Sequence, residues 1–260
     1  MRIIKGFNIK ALLLAGCLML IPVPDAFSVT FKVSPEHIAV DSLYHGSRVS
    51  ITGEVGADEE VIVKVTSEEH KVDLRKKGKK MGLLWMNVGE LEIEPVSDVY
   101  LLFSTRDINE ILNPEQQNSY VIGYGSLKKI VSLVPVSDEA EKEKWFDEFI
   151  KFKENDNIYG VFPGTIDVIS SGEEKKFKID VDWPYQAPPQ EYKVSAYTVK
   201  NGLISGESNA TLIVEKTGAL RFLSEMAFNK AAVYGVVSIF IAIFAGFIVS
   251  MVFKGGGGGH

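Results

Sequence analysis

Hydrophobic and polar positions follow different rhythms along this chain. From residue 29 to about 106, short runs rich in Val, Ile and Phe alternate with polar residues, the period-two pattern of half-buried strands. The runs 29–33, 48–55, 60–66, 71–77, 80–87, 91–94 and 99–104 predict strands, punctuated by Gly46-Ser47, Gly56-Ala57-Asp58, Gly78 and Ser97-Asp98. Between 107 and 160 the period lengthens to that of a helix. Residues 108–112 predict a short helix ended by Pro114. A longer one over 138–154 has Ser137 or Asp138 as cap, Glu139, Glu141 and Glu143 at its positive end, and Trp145, Phe146, Phe149, Ile150 and Phe152 as an apolar face that packs on a sheet.

Alternation returns from 161 to 217, with strands expected at 166–169, 175–181, 192–199 and 210–214. Asn201-Gly202 supplies a turn, and the prolines between Pro184 and Gln190 suit an extended crossover. This stretch is either a second β module or a continuation of the first. Residues 218–230 put Leu220, Leu223, Met226 and Ala227 on one face and Arg221, Ser224, Glu225 and Asn229 elsewhere, which predicts a juxtamembrane amphipathic helix.

The period then disappears. Residues 231–253 contain no charge, and as a helix they reach about 35 Å, enough to cross a bilayer core. Val, Ile and Phe in this span favour insertion by about 4–8 kcal/mol in total. Its small residues are ordered: Ser238, Ala242, Gly246 and Ser250 recur every four positions, and Ala231 and Gly235 form a second pair, the spacing that lets another helix approach closely in lipid. The opposite side is bulky, so the segment is expected both to anchor and to offer a helix–helix contact, with a membrane protein or with another copy of itself. Residues 254–260 are a short Gly-rich tail.

The other end of the chain reads as an export signal over 1–28: Arg2, Lys5 and Lys10 precede an apolar run, and Ala26-Phe27-Ser28 offers a cleavage site. Leu14-Ala15-Gly16-Cys17 resembles a lipobox, so lipidation of Cys17 is one alternative and an uncleaved anchor another. Removal of the signal takes away the single cysteine, leaving neither disulfide nor thiol chemistry. The expected topology is single-pass in a bacterial inner membrane, with the N-terminal domain periplasmic and the C-terminus cytoplasmic. Export decides this orientation, since Lys216, Arg221 and Lys230 before the span outnumber Lys254 after it.

Between the two apolar ends, 24 Lys and Arg face 33 Asp and Glu, which argues against nucleic acid as a partner. Against that acidic background, Lys71, Arg75, Lys76, Lys77, Lys79 and Lys80 form a basic run. With Gly78 at the turn they read as a hairpin tip that docks an acidic partner or holds an anion, or that simply keeps a strand edge soluble. Nothing else carries a catalytic signature. His37, His45 and His70 lack metal-ligand spacing, and no G-x-S-x-G elbow occurs. Glu92 and Glu94 share a strand face as solvent residues would, and Gly123-Tyr124-Gly125-Ser126 reads as a turn. No cofactor, no metal and no enzymatic activity are expected.

The segments Val72-Asp-Leu-Arg-Lys-Lys-Gly78, Met81-Gly-Leu-Leu-Trp85-Met-Asn-Val88, Val99-Tyr-Leu-Leu-Phe-Ser104 and Ala232-Val-Tyr-Gly235 resemble a family of uncharacterised bacterial transmembrane proteins best known from alpha-proteobacteria. The resemblance implies a secreted β domain on one C-terminal span and contributes no catalytic residues. It also implies a partner, a permease resembling sulfite or sulfonate exporters. The fold expected from the pattern is mainly β: an immunoglobulin-like sandwich without its disulfide, a short helical insertion and one transmembrane helix. An accessory protein for a membrane partner is the first functional reading. An anion-binding or sensor domain using the basic hairpin is the second, and a periplasmic enzyme with a site assembled across strands is the third.

Overall fold

The computed structural model describes residues 30–80, 84–171 and 174–254; the expected signal segment, with Cys17, and most of the Gly-rich tail lie outside them. In chain order the elements are β1 (Thr30–Ser34), β2 (His37–Val40), β3 (Ser47–Gly56), β4 (Glu60–Ser67), β5 (Glu69–Lys80), β6 (Leu84–Ser97) and β7 (Tyr100–Ser104). A helical stretch follows: α1 (Ile108–Ile111), α2 (Pro114–Tyr120), α3 (Tyr124–Ile130), the short strand β8 (Ser132–Val134) and α4 (Glu139–Asn155). Then come β9 (Tyr159–Pro163), β10 (Asp167–Ser171), β11 (Glu174–Trp183), β12 (Glu191–Lys200), β13 (Leu203–Lys216), α5 (Gly218–Asn229) and α6 (Ala231–Lys254).

Strands from the two ends of the domain interleave. One sheet has the order β1-β3-β11-β10, a second β2-β13-β12-β4-β7-β9, and a third, smaller one β5-β6-β8. β3 pairs with β11 from Ser47–Trp183 to Gly56–Glu174, and β4 pairs with β12 from Ser67–Tyr192 to Glu60–Val199. The segments 30–106 and 161–217 therefore share the two larger sheets and one core. Asn201 and Gly202 both take positive φ in the turn that joins β12 to β13, as the Asn-Gly pair requires.

The four-stranded sheet is amphipathic. Val49, Ile51 and Val55 of β3 and Phe177, Ile179, Val181 and Trp183 of β11 are buried, while the other face is laced by cross-strand pairs such as Arg48–Asp182 at 2.9 Å and Lys176–Glu54 at 3.1 Å. Gly53 belongs to this packing, because a Cβ there would lie 2.5 Å from Cε1 of Phe177 and 2.7 Å from the Thr30 carbonyl oxygen.

The six-stranded sheet obeys a different rule. Val61, Ile62, Val63 and Val65 of β4, all of β7, and Tyr192 with the run from Val194 to Val199 on β12 are buried. Its centre is covered on both faces: one packs toward the four-stranded sheet, and the other carries the helical stretch. Tyr120 meets Tyr197 edge-on at 5.5 Å, and the Tyr100 hydroxyl donates to the Val121 carbonyl while accepting from the Gly123 amide. Phe149 of α4 packs edge-on against Tyr159 at 5.7 Å.

Local chemistry explains the helices. Asp107, Asn113 and Asp138 cap α1, α2 and α4 with their side chains, and Pro114 opens α2. Several expectations need correction. Gly123-Tyr124-Gly125-Ser126 starts α3, with Gly123 at φ 88° as its cap, and is not a free-standing turn. Phe152 is 52% exposed, while Phe146, Phe149, Ile150 and Lys153 form the buried face of α4. Gly78 lies inside β5 opposite Met86, and the strands expected separately at 80–87 and 91–94 are largely one, β6.

Phe149→Ala should destabilise the domain by about 3–5 kcal/mol, the range for a buried aromatic. Phe152→Ala on the same helix should stay within about 0.5 kcal/mol. Urea unfolding midpoints of the two variants measure the contrast.

Candidate functional site

The β5–β6 hairpin leaves the six-stranded sheet between β4 and β7, and the register places its root. β13 ends at Lys216, close to where the chain enters α5; β12 begins and β4 ends at that same end, with Ser67 opposite Tyr192, and β7 begins there with Tyr100 opposite Thr66. The hairpin thus springs from the end of the sandwich nearest the apolar C-terminal helix. A polar network holds it. The Ser67 hydroxyl accepts from the Asp98 amide at 2.7 Å, Ser97 Oγ donates to the Ser67 carbonyl, and the Tyr159 hydroxyl donates to the Ser97 carbonyl at 2.7 Å. Asp98 also accepts from Gln190 Nε2 at 2.9 Å and sits 3.4 Å from His70 Nε2.

Pairing divides the basic run in two. Val72 and Leu74 turn inward beside Ile93 and Leu91. On the outer face Lys71 lies 3.4 Å from Asp73 and 3.1 Å from Glu92, and the hydrogen bond to Glu92 holds its ammonium protonated above the usual lysine range. Arg75 stands in register with Glu90. Beyond a register shift between Lys76 and Lys77 the partners change: Lys76, Lys77, Lys79 and Lys80 oppose Gly89, Asn87, Trp85 and Leu84. Positive charge without an acidic register partner is therefore confined to the outer half of the hairpin. Glu92, half of the carboxylate pair read from sequence, is engaged with Lys71, and both it and Glu94 border β8 in the ladder.

Two lysines that the pattern did not single out lie under the helical layer. Lys64 of β4 donates to the Tyr120 carbonyl at 2.6 Å, beneath the Tyr197 ring. Burial, helped by the charge of Lys193, pushes its pKa down to about 8. It lines a polar groove of about 810 Å³ together with Thr66, Glu69, Glu191 and Lys193. Lys153 of α4 is buried with its ammonium 5.7 Å from the Phe149 ring and 5.5 Å from the Tyr159 ring, and burial lowers its pKa too. Desolvation raises the surrounding phenols, Tyr197 to about 12 and Tyr100 and Tyr159 beyond it. The signal for Lys153 was its place at helical spacing from Phe146, Phe149 and Ile150; Lys64 carried none, since β4 is apolar on both faces.

The remaining sequence candidates lie on α6. Its window Ala231–Met251 has a mean hydropathy of 2.5 and no buried residue. Added Cβ atoms at Gly235 or Gly246 would meet nothing within 4 Å. The Ser238 hydroxyl donates back to the Tyr234 carbonyl at 2.8 Å, so within this helix it behaves as an apolar small residue. Ser238, Ala242, Gly246 and Ser250 share one face by their spacing, with Gly235 beside it. His37 sits on β2, His45 in the β2–β3 loop and His70 at the hairpin root; the fold does not gather them.

In a comparison with family models, residues 28–255 fit a family described as "Putative transmembrane protein (Alph_Pro_TM)". Comparison with curated proteins finds no match.

Lys64 has a folded pKa near 8 against an ordinary value of 10.5, so between these pH values the unfolded chain binds more protons and stability rises with pH. The clean window ends near pH 10, where unfolded tyrosines begin to ionise ahead of the buried ones and reverse the slope. Melting temperature should climb from pH 8 to 10, and Lys64→Met should flatten that climb, as followed by circular dichroism.

Proposed function

This chain belongs to that family of transmembrane proteins, and from this premise we propose that it is a non-enzymatic, single-pass accessory protein. In this reading its β domain stands on the periplasmic side of a bacterial inner membrane and docks on an integral-membrane partner, a permease of the sulfite or sulfonate exporter type. The observation that carries the reading is α6. It is long enough to span, is uncovered along its length, and has a ladder of small residues beside bulky Ile and Phe, so a second helix can pack where backbone approach is closest. The hairpin adds a second contact of the right location and charge. Its root is fixed at the anchor end, and its outer half carries Lys76, Lys77, Lys79 and Lys80 opposite uncharged register partners.

We propose in addition that the sandwich is immunoglobulin-like. If β1, β2, β3, β4, β7, β10, β11, β12 and β13 are lettered A, A′, B, C, C′, D, E, F and G, the sheets read A-B-E-D and A′-G-F-C-C′, with β9 appended. Tyr192 at the start of strand F donates its hydroxyl to the Pro188 carbonyl four residues upstream, the hydrogen bond of a tyrosine corner. The β5–β6 hairpin and the helical layer are then insertions on either side of strand C′.

The second reading, an anion site on the hairpin, loses Lys71 to Asp73 and Glu92 but keeps the outer lysines.

Purification in mild detergent should recover one integral-membrane protein in stoichiometric amount. Gly246→Ile should lower that recovery about tenfold, equivalent to about 1.4 kcal/mol. Replacing Lys76, Lys77 and Lys79 with Gln should weaken it further at low salt. Recovery of the chain alone, or recovery indifferent to both changes, rejects the accessory reading. A gain of oxyanion binding that vanishes with the lysine replacements would favour the second.

A further inference from the structure

Among the described residues, nothing covers the helix between the β domain and the span. None of the residues of α5 is buried, and Phe222 is 62% exposed. At 100° per residue, Phe222, Met226, Ala219, Leu223, Ala227 and Leu220 fall within an arc of about 160°, and Ser224, Arg221, Glu225 and Asn229 hold the rest except for Phe228, which lies among them in the last turn beside the start of α6 and is 84% exposed. It is the polar arc that is tied back toward the domain, through the Lys216 ammonium and Ser224 Oγ at 3.1 Å, while Arg221 and Glu225 pair with each other at 2.8 Å. The apolar arc is left facing elsewhere.

What lies there follows from continuity with the span. α5 stops at Asn229, Lys230 takes non-helical angles (φ −136°, ψ 48°), and α6 begins at Ala231. One residue separates an amphipathic helix from a uniformly apolar one. Such a break lets the two axes diverge where the character of the surface changes. An unbroken helix would instead carry the apolar arc out along the membrane normal. With Ala231 opening a charge-free span, Lys230 sits at headgroup depth, and α5, about 18 Å long, starts from that plane.

The domain presents matching residues at the same end. The Thr217 amide donates to the Val40 carbonyl at 2.9 Å, so the start of α5 abuts the end of β2 and the loop that follows. In that loop Leu43 is 77% exposed. Ser47, which starts β3, pairs with Trp183, which ends β11, and just beyond them Tyr185 is 68% exposed and stacked on Tyr44 at 6.1 Å. Tyrosine and leucine flanked by polar neighbours are side chains that partition to a bilayer interface.

We propose that the apolar arc of α5, with Leu43 and Tyr185, is a lipid-interface docking surface on which the β domain stands against the membrane. α5 lies in the headgroup layer with Phe222 and Leu223 toward the acyl chains, and Arg221 and Glu225 toward water. The inference needs α6 to cross the bilayer and needs no protein partner.

The test uses the full chain, Cys17→Ser, reconstituted alone in phosphatidylethanolamine–phosphatidylglycerol vesicles. Single cysteines carry an environment-sensitive fluorophore at Phe222→Cys, Leu223→Cys, Leu43→Cys and, at the opposite end of the sandwich beside the Asn201-Gly202 turn, Leu203→Cys. Probes at Phe222, Leu223 and Leu43 should be blue-shifted, several-fold less quenched by aqueous iodide than the Leu203 probe, and quenched by lipids spin-labelled near the headgroup. Iodide quenching equal to that at Leu203 overturns the proposal. Shielding from iodide without quenching by the spin-labelled lipid also overturns it, because the cover is then protein. Because the chain is alone in lipid, either result is independent of whether a permease partner exists.

Discussion

The centre of the six-stranded sheet is apolar on both faces, and the rest of the domain is arranged to satisfy that condition. One face is met by the amphipathic four-stranded sheet, whose polar side stays wet. The other must be covered by something inserted in the chain, and α1 to α4 supply it between β7 and β9. That layer brings backbone carbonyls at Tyr120 and Val121 down onto the sheet, and Lys64 and Tyr100 satisfy them from below. The buried lysine is thus a by-product of roofing a strand with short helices. It is a donor placed where a carbonyl would otherwise be stranded.

The same condition governs what could be read from sequence. Where burial is one-sided, as in β3 and β11, alternation located the strands to within a residue or two. Where it is two-sided, the run still marked a strand but concealed which residues face the helices, so Lys64 went unread. Short edge elements were lost: β2, β8 and β9 have three to five residues and are defined by partners far along the chain, Ile213–Lys216 for β2 and Tyr100–Ser104 for β9. α2 and α3 were lost because each is seven residues long, too few for a period to emerge. The basic run was legible as composition. Its division into a root with acidic register partners and an outer half with uncharged ones depends on register, which places Glu92 and Glu90 opposite the root and Asn87 and Trp85 beyond it. The ladder on α6 was legible in full, because a single exposed helix is its own context.

Membership in the transmembrane family fits an architecture in which polarity changes in steps toward the C-terminus. β13 alternates, α5 is divided lengthwise, and α6 is apolar all round. Each step leaves the chain's own surface less polar, and the one-residue break at Lys230 marks the last of them. The hairpin, the Tyr44–Tyr185 stack and α5 all gather at this end, so the domain's distinctive features crowd toward its anchor, and the far end carries tight turns such as Asn201-Gly202.

The anchor is joined to β13, and this has a mechanical consequence. β13 is clasped by β12 along most of its length and by β2 over its last four residues, with one further hydrogen bond from Thr217 to Val40. Tension directed along β13 would run across hydrogen bonds that lie nearly perpendicular to it on the antiparallel β12 side and slanted on the parallel β2 side. The ladder is loaded in shear, with its rungs resisting together, and cannot be peeled one rung at a time. A lipid-embedded tether pulled along that axis would therefore move the β domain as a unit before opening it.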